Sequence, residues 1–272
     1  MIKIQMQDFD LEKTSKSGQC FRMNRVDGHE NRYALIAYGE YLEIEKKEDG
    51  FLFFCTQEEW ESLWANYFDC GRDYQKIYKA VDKKDKYLQG AVTYGSGIRI
   101  LRQEAFETTV SFIISQQNNI PRIKKCVESL CTGFGEEKYN FRGEKYYTFP
   151  TAKRLAGLSP EDLQSCNLGY RSRYILKSAR MIAEGEVNFD GLTDMTYEDA
   201  KAELMKLCGV GVKVAECICL FALHHVDAFP IDTHIQTVLL KYYPEGFPFE
   251  RYKGYAGILQ QYAFYYDIYG EM

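Results

Sequence analysis

The sequence predicts an α+β protein, with short antiparallel strands gathered at the N-terminal end and helices filling the rest. Three observations carry that expectation. Three β-prone runs punctuated by turn residues fall within the first 56 or so residues. From Thr56 onward the apolar residues recur at helical spacing. Residues 196–224 then read as two helices joined by a glycine-tight hairpin.

Taken in order, residues 33–38, 41–45 and 51–55 are the strands. Asp27-Gly28, Gly39 and Asp49-Gly50 punctuate them, as hairpin turns require. Thr56-Gln57-Glu58-Glu59 sets a capping hydroxyl three residues before a glutamate, and Trp60, Leu63, Trp64 and Tyr67 follow at helical spacing. Residues 103–115 form a largely apolar helix that ends in the polar run Gln116-Gln117-Asn118-Asn119. Further helices are expected over 120–133, where apolar and basic residues alternate, over the short stretches 151–158 and 160–166, and over 171–184, which is basic on one face. Residues 196–207 lead into the hairpin, and 212–224, 233–242 and 249–268 complete the set; the last, rich in tyrosine, is most simply a helix packed in the core. No long linker, low-complexity segment or clear repeat interrupts the chain. The division expected is a β-rich part with flanking helices over residues 1–100 and a helical part over 101–272.

A chain of 272 residues that is 46% hydrophobic can bury a sizeable core. No run approaches the roughly 18 apolar residues of a membrane span, and the N-terminus lacks the apolar stretch of a secretory signal. A cytoplasmic location is therefore expected, nucleoid-associated if the source is prokaryotic. The nine cysteines are odd in number and form no CxxC pair, so buried free thiols are expected rather than a disulfide framework or a C-terminal iron–sulfur site. The net charge of −5 counts against a surface wholly given to nucleic acid. Cations nevertheless cluster at Arg99 and Arg102, at Arg122, Lys124 and Lys125, and at Arg171, Arg173, Lys177 and Arg180. Such clusters suit a local basic face and equally a solvated helix surface.

The chemistry concentrates in Leu207-Cys208-Gly209-Val210-Gly211-Val212-Lys213-Val214-Ala215-Glu216-Cys217 and in Phe229-Pro230-Ile231-Asp232-Thr233-His234. Gly209 and Gly211 supply a tight turn that leaves N–H groups free at the start of a helix, where the dipole favours a phosphate. Lys213 lies in the first turn of that helix; the dipole and its apolar neighbours both disfavour its charge, the condition for an amine nucleophile and Schiff-base former. A phosphate-gripping or solvated lysine would carry the same pattern. Asp232 would stabilise positive charge developing on a sugar or help deprotonate the lysine. It also reads as a charge just outside a capping box made by Thr233 and Gln236. His234 suits a phosphate contact or an ordinary surface position.

These residues resemble the helix-hairpin-helix DNA glycosylase superfamily, and Lys213 in the hairpin helix resembles its 8-oxoguanine DNA glycosylase/AP lyase branch. Gly18-Gln19-Cys20-Phe21-Arg22, Ile100 to Glu104, Ser111 to Arg122, Asn167 to Tyr174 and Tyr255-Ala256-Gly257 match that branch in order, so the resemblance spans nearly the whole chain. It implies an N-terminal antiparallel β-rich domain packed on a mostly α-helical two-domain body, with duplex DNA in the cleft and the damaged base flipped out. It also implies base-excision repair chemistry: Lys213 attacks C1′, displaces the base and leads through an imine to β-elimination, with Asp232 assisting.

Other roles follow from the same resemblance. Gly18 matches the glycine whose carbonyl reads the N7–H that 8-oxoguanine has and guanine lacks. Cys217 and Phe264 match the residues that sandwich the base, and Gln260 the amide on its pairing edge. Tyr170 matches the wedge, Arg122 and Arg171 the arginines on the orphaned cytosine, and Gln117, with Asn118 beside it, stands where the family usually has asparagine. Gly209, Gly211 and His234 fall on the DNA backbone. Cys208 replaces the common hairpin proline and Cys20 a serine. No cofactor or protein-ligated metal is expected, apart from a structural cation on hairpin carbonyls, and a monomer acting on double-stranded DNA containing oxidised guanine is expected. The alternatives are a monofunctional alkylated-base glycosylase using Asp232 alone and a non-catalytic damaged-DNA-binding protein.

Overall fold

The computed structural model describes residues 1–270; the last two of the 101–272 range lie outside them. The chain opens with β1 (Ile2–Ile4) and α1 (Leu11–Lys16), followed by β2 (Met23–Arg25), β3 (Arg32–Ala37), β4 (Glu40–Lys47) and β5 (Gly50–Phe53). The strands form one antiparallel sheet in the order β1-β5-β4-β3-β2. Its register sets Leu35 opposite Leu42 and Ile44 opposite Phe53, which puts the apolar alternation on one face. The three expected strands are present with ends shifted by one or two residues. β1, α1 and β2 were not expected; strands of three residues carry too little alternation to read.

The capping box at Thr56 forms as expected, with Glu59 N donating to the Thr56 hydroxyl and Thr56 N to the Glu59 carboxylate. α2 (Gln57–Glu59) then runs through a π-helical turn at Trp60–Trp64 into α3 (Ala65–Tyr67). Trp60, Trp64, Tyr67 and Phe68 close over Leu35, Leu42, Ile44 and Phe53 to make the core of the sheet.

α4 (Tyr74–Ala80) and α5 (Lys86–Gly95) belong by packing to a second core, the helical one. That core takes in α6 (Ala105–Ser115), α7 (Ile120–Phe134), α8 (Ala152–Ala156), α9 (Arg171–Ala183), α10 (Tyr197–Leu204), α11 (Val212–Phe221), α12 (Thr233–Tyr242) and α13 (Ala256–Tyr269). α11 lies against α6, with Phe112 and Phe221 stacked at 5.5 Å. α5 lies along α13 through Tyr87 and Tyr266.

Three expectations are corrected. The 160–166 stretch forms only a 3-10 turn at Gln164–Cys166. The expected 249–268 helix is broken: a 3-10 turn at Phe249–Tyr252 is followed by Gly254 at φ +90°, a conformation no helix continues through, before α13 begins. An unforeseen hairpin of β6 (Glu137–Tyr139) and β7 (Lys145–Tyr147) joins the helical part to the sheet, where Arg142 reaches the fully buried Glu43 carboxylate. All nine cysteines are free, seven of them buried. Among the described residues no helix is long and apolar enough to cross a membrane.

Candidate active site

The hairpin between α10 and α11 is held from outside as well as by its own turns. Gly209 takes φ +82°, and a Cβ there would meet the Tyr174 Cβ at 2.7 Å, so both its backbone and its surroundings exclude a side chain. The Gly209 carbonyl accepts from Gln116 Nε2 at 2.9 Å and the Cys208 carbonyl from Ser178 Oγ at 2.7 Å. Gly211 is the extended N-cap of α11 and offers no side-chain acceptor, and Val212 beside it is 55% exposed. The first N–H groups of the ten-residue α11 therefore face outward uncapped, where a phosphate oxygen would complete them.

Lys213 follows in the first turn of α11, half-buried, its ammonium 5.2 Å from the centre of the Phe112 ring. Cys217 is one turn further along the same face. Burial pushes its thiol up to about 11, with Lys213 beside it opposing the rise and Asp232 adding to it. The three groups are thus neighbours. No ion pair joins Lys213 to Asp232 among the described residues, so the amine is not locked against the carboxylate. Asp232 is itself the N-cap of α12, accepting from Ile235 N at 2.9 Å. This corrects the expected placing of Asp232 outside a Thr233–Gln236 box: the shorter carboxylate reaches the third N–H directly.

Glu216, one position before Cys217, is 5% exposed and accepts from the Tyr197 hydroxyl, the Lys201 ammonium and Phe229 N. It ties α10 and the Phe229–Asp232 segment to the lysine helix. Gln260 on α13 reaches the same segment, donating to the Pro230 carbonyl at 2.8 Å. Its own carbonyl oxygen is buried and, among the described residues, has no partner.

Gly18, at φ +75°, stands so close to α13 that a Cβ would meet Phe264 Cε1 at 3.0 Å. Phe264 in turn packs edge-on to His234, whose Nδ1 lies 2.8 Å from Asp267 Oδ2. The Gly18 loop is pinned on both sides: Gln261 Nε2 donates to the Ser17 carbonyl at 2.6 Å, and buried Gln19 bonds Leu101 N and the Arg99 carbonyl.

A second group lies around the turn between α6 and α7. Gln117 holds φ +49° and exposes its side chain. Asn118 Nδ2 donates to the Ile114 carbonyl, and Arg122 stands exposed in the first turn of α7. Tyr170, 47% exposed, leads into α9 with the Arg171 guanidinium 4.7 Å from its ring centre. Arg171 is only 5% exposed; its guanidinium donates to the carbonyls of Gln116, Gln117 and Leu168. It shapes the turn beside which the orphan-base contact was expected, with its donors taken up by backbone carbonyls.

Residues 1–109 match the family model for the 8-oxoguanine DNA glycosylase N-terminal domain, and residues 110–245 match that for the HhH-GPD superfamily of base excision DNA repair proteins. A probable N-glycosylase/DNA lyase of Methanothermobacter thermautotrophicus is 30% identical over 271 residues, covering 89% of this chain and 85% of that one. The N-glycosylase/DNA lyase of Saccharomyces cerevisiae is 38% identical over 158 residues, 54% of this chain but only 42% of the yeast protein. The structure of Clostridium acetobutylicum 8-oxoguanine glycosylase/lyase, in complex with double-stranded DNA containing cytosine opposite 8-oxoG, matches with a TM-score of 0.89 at 34% identity over 96% of this chain and 92% of that one. The chain belongs to the 8-oxoguanine glycosylase branch of the HhH-GPD superfamily.

Within this glycosylase the fold gathers Lys213, Cys217 and Asp232 in one cluster and Gly18, Phe264 and His234 in another, with Gln260 joined to the segment that ends at Asp232. Gln117, Asn118, Tyr170 and Arg171 surround the α6–α7 turn, and Gln116 connects that turn to Gly209. Among the described residues no group of three or more His, Cys, Asp or Glu is placed to hold a metal ion. Sequence reasoning missed Gln116, Ser178, Glu216 and Gln261, all of which act through backbone groups distant in the chain; no local pattern marks them.

Proposed function

We propose that this protein removes 8-oxoguanine from duplex DNA and cleaves the resulting site, working as a monomer in the cytoplasm, with residues 1–100 and 101–272 as its two parts. The flipped base lies between Cys217 and Phe264, the Gly18 carbonyl accepts its N7–H, and the free Gln260 carbonyl oxygen faces its pairing edge. The Lys213 amine attacks C1′ through its Nζ lone pair as the bond from C1′ to N9 breaks, and the base departs with its electron pair and takes up a proton. Nζ gives up a proton, the sugar ring opens to an imine, and loss of a C2′ proton expels the 3′ phosphate. Asp232 steadies positive charge on the sugar while it caps α12. Tyr170 fills the gap, and Gln117, Asn118 and Arg122 face the orphaned base, which we take to be cytosine. Gly209, Gly211 and His234 lie along the phosphates. A hairpin cation, if bound, steadies this backbone.

The observation that carries this reading is Lys213 in the first turn of an uncapped helix, beside Cys217 and Asp232 and, among the described residues, without an ion pair. Borohydride trapping on 8-oxoguanine duplexes with each of the four opposite bases tests it. Wild type is expected to form a covalent adduct, best opposite cytosine, and Lys213→Gln to form none. Equal trapping by the Gln variant would remove Lys213 as the nucleophile.

A further inference from the structure

Lys124 belongs to none of the groups above. It projects from α7 one turn after Ile120 and donates to the Met23 carbonyl at 2.9 Å, Asn24 Oδ1 at 3.0 Å and the Ser15 carbonyl at 3.4 Å. These oxygens stand at the two feet of a single loop. Ser15 lies in the last turn of α1, where carbonyls have no helical partner, and Met23 opens β2. Gly18 sits between them. Ile120 bears on the same loop from the same face of α7, its Cδ1 3.6 Å from where a Gly18 Cβ would be. α7 therefore touches the Gly18 loop through Ile120 and Lys124, and farther along through Glu128 at Arg22. That helix also carries Arg122 and follows directly on Gln117 and Asn118.

An ammonium suits this place because it has three donors and no acceptor, and each of its bonds is charge-assisted. Burial draws its pKa below the ordinary lysine value, with the Cys20 thiol opposing. The charge is held by loop oxygens in place of water.

We propose that Lys124 is a positioning residue that sets specificity: it clamps both ends of the Gly18 loop to α7, so that the group reading the flipped base and the turn facing the base left behind share one geometry. This rests on the 8-oxoguanine reading above. Loosening the clamp should slow base excision, which needs the Gly18 carbonyl in place. It should spare β-elimination at a sugar that has already lost its base.

The test uses the full chain in single-turnover assays on two duplexes, one with 8-oxoguanine opposite cytosine and one with a preformed abasic site opposite cytosine. Lys124→Met keeps the stem and removes the donors. Excision is expected to fall about tenfold, the scale of a lost charge-assisted bond, with abasic-site cleavage within about twofold of wild type. Lys124→Arg, which keeps the charge and donors, should recover most of the loss. If the Met variant does not fold, Asn24→Ala at the exposed foot replaces it; a two- to threefold loss confined to excision (roughly, for one of three bonds) supports the clamp, and an unchanged ratio overturns it. A Met variant that excises like wild type, or that loses both steps equally, also overturns it. Wild type that leaves 8-oxoguanine in place would overturn the substrate reading together with the clamp, whereas wild-type excision with an indifferent Met variant would overturn the clamp alone.

Discussion

Glu216 sets the spacing between amine and carboxylate without touching either. Its buried carboxylate holds Phe229 N at 2.8 Å, three residues before Asp232, while its own backbone lies three residues after Lys213. Glu216→Gln keeps the volume but loses the charge that pairs with Lys201. It is expected to cost about 1–3 kcal/mol of stability and to slow single-turnover excision about tenfold through misplacement. DNA affinity should stay within about twofold. A gel-shift and a quench experiment on the same variant check the split; a loss of affinity with an unchanged rate would contradict it. At this scale Lys213 and Asp232 could be singled out because the proposed chemistry calls for their type, an amine in a helix's first turn with a carboxylate nearby, whereas Gly18 and Phe264 came only through the family resemblance. Asp232 was misplaced by one position because a cap and a charge partner draw on the same residues. Arg171 showed as a cation, but nothing local revealed that three backbone carbonyls consume its donors.

On the proposed reading the hairpin is the element on which the DNA side depends, and Gly209 is where it is least tolerant. Gly209→Ala would force a Cβ into both a left-handed backbone and the Tyr174 side chain, at an expected cost of about 2–4 kcal/mol. Chemical denaturation should show that loss, and binding to undamaged duplex should weaken with it because the α11 N–H groups shift. Full stability in the Ala variant would mean that Tyr174 and α9 give way easily. Long periodic helices and the glycine turn were readable from sequence. β1, β2, β6 and β7, at three residues each, are set by pairing across the fold and leave no period. The break before α13 lies in a tyrosine-rich stretch whose apolar spacing continues across it, so pattern alone ran the two pieces together.

At the scale of the whole molecule, two cores meet along α6 and the β6–β7 hairpin, and the contact is polar. Arg22, buried beside the sheet, donates to the Tyr147 carbonyl, and two of its nitrogens have no partner among the described residues. Glu107 on α6 lies in the same region. Burial raises its carboxyl to about 7; Arg22 opposes the rise, and Glu104 and Glu128 add to it. A carboxyl held above its unfolded value favours folding while protonated, so its contribution is complete below about 4.5 and is lost as pH climbs through about 7. Glu107→Gln should therefore melt about 3 °C higher than wild type at pH 8, the gap closing by about pH 5. Thermal melts at the two pH values test this, and a gap that persists at the lower one would rule out the titration. The change from strands to helices was visible at Thr56. That α4 and α5 pack with the distant α13 was not, because helical periodicity says which face is buried but not against what.

Gln116 gives the molecule a mechanical character. Its backbone carbonyl receives the Arg171 guanidinium and its side chain holds the Gly209 carbonyl, so the segments that bear Tyr170, Gln117 and the hairpin are braced at one residue. A surface braced in this way does not mould itself to a straight duplex. On the proposed reading the elastic work of engagement falls on the nucleic acid, and the softness of the base steps beside a lesion contributes to recognition.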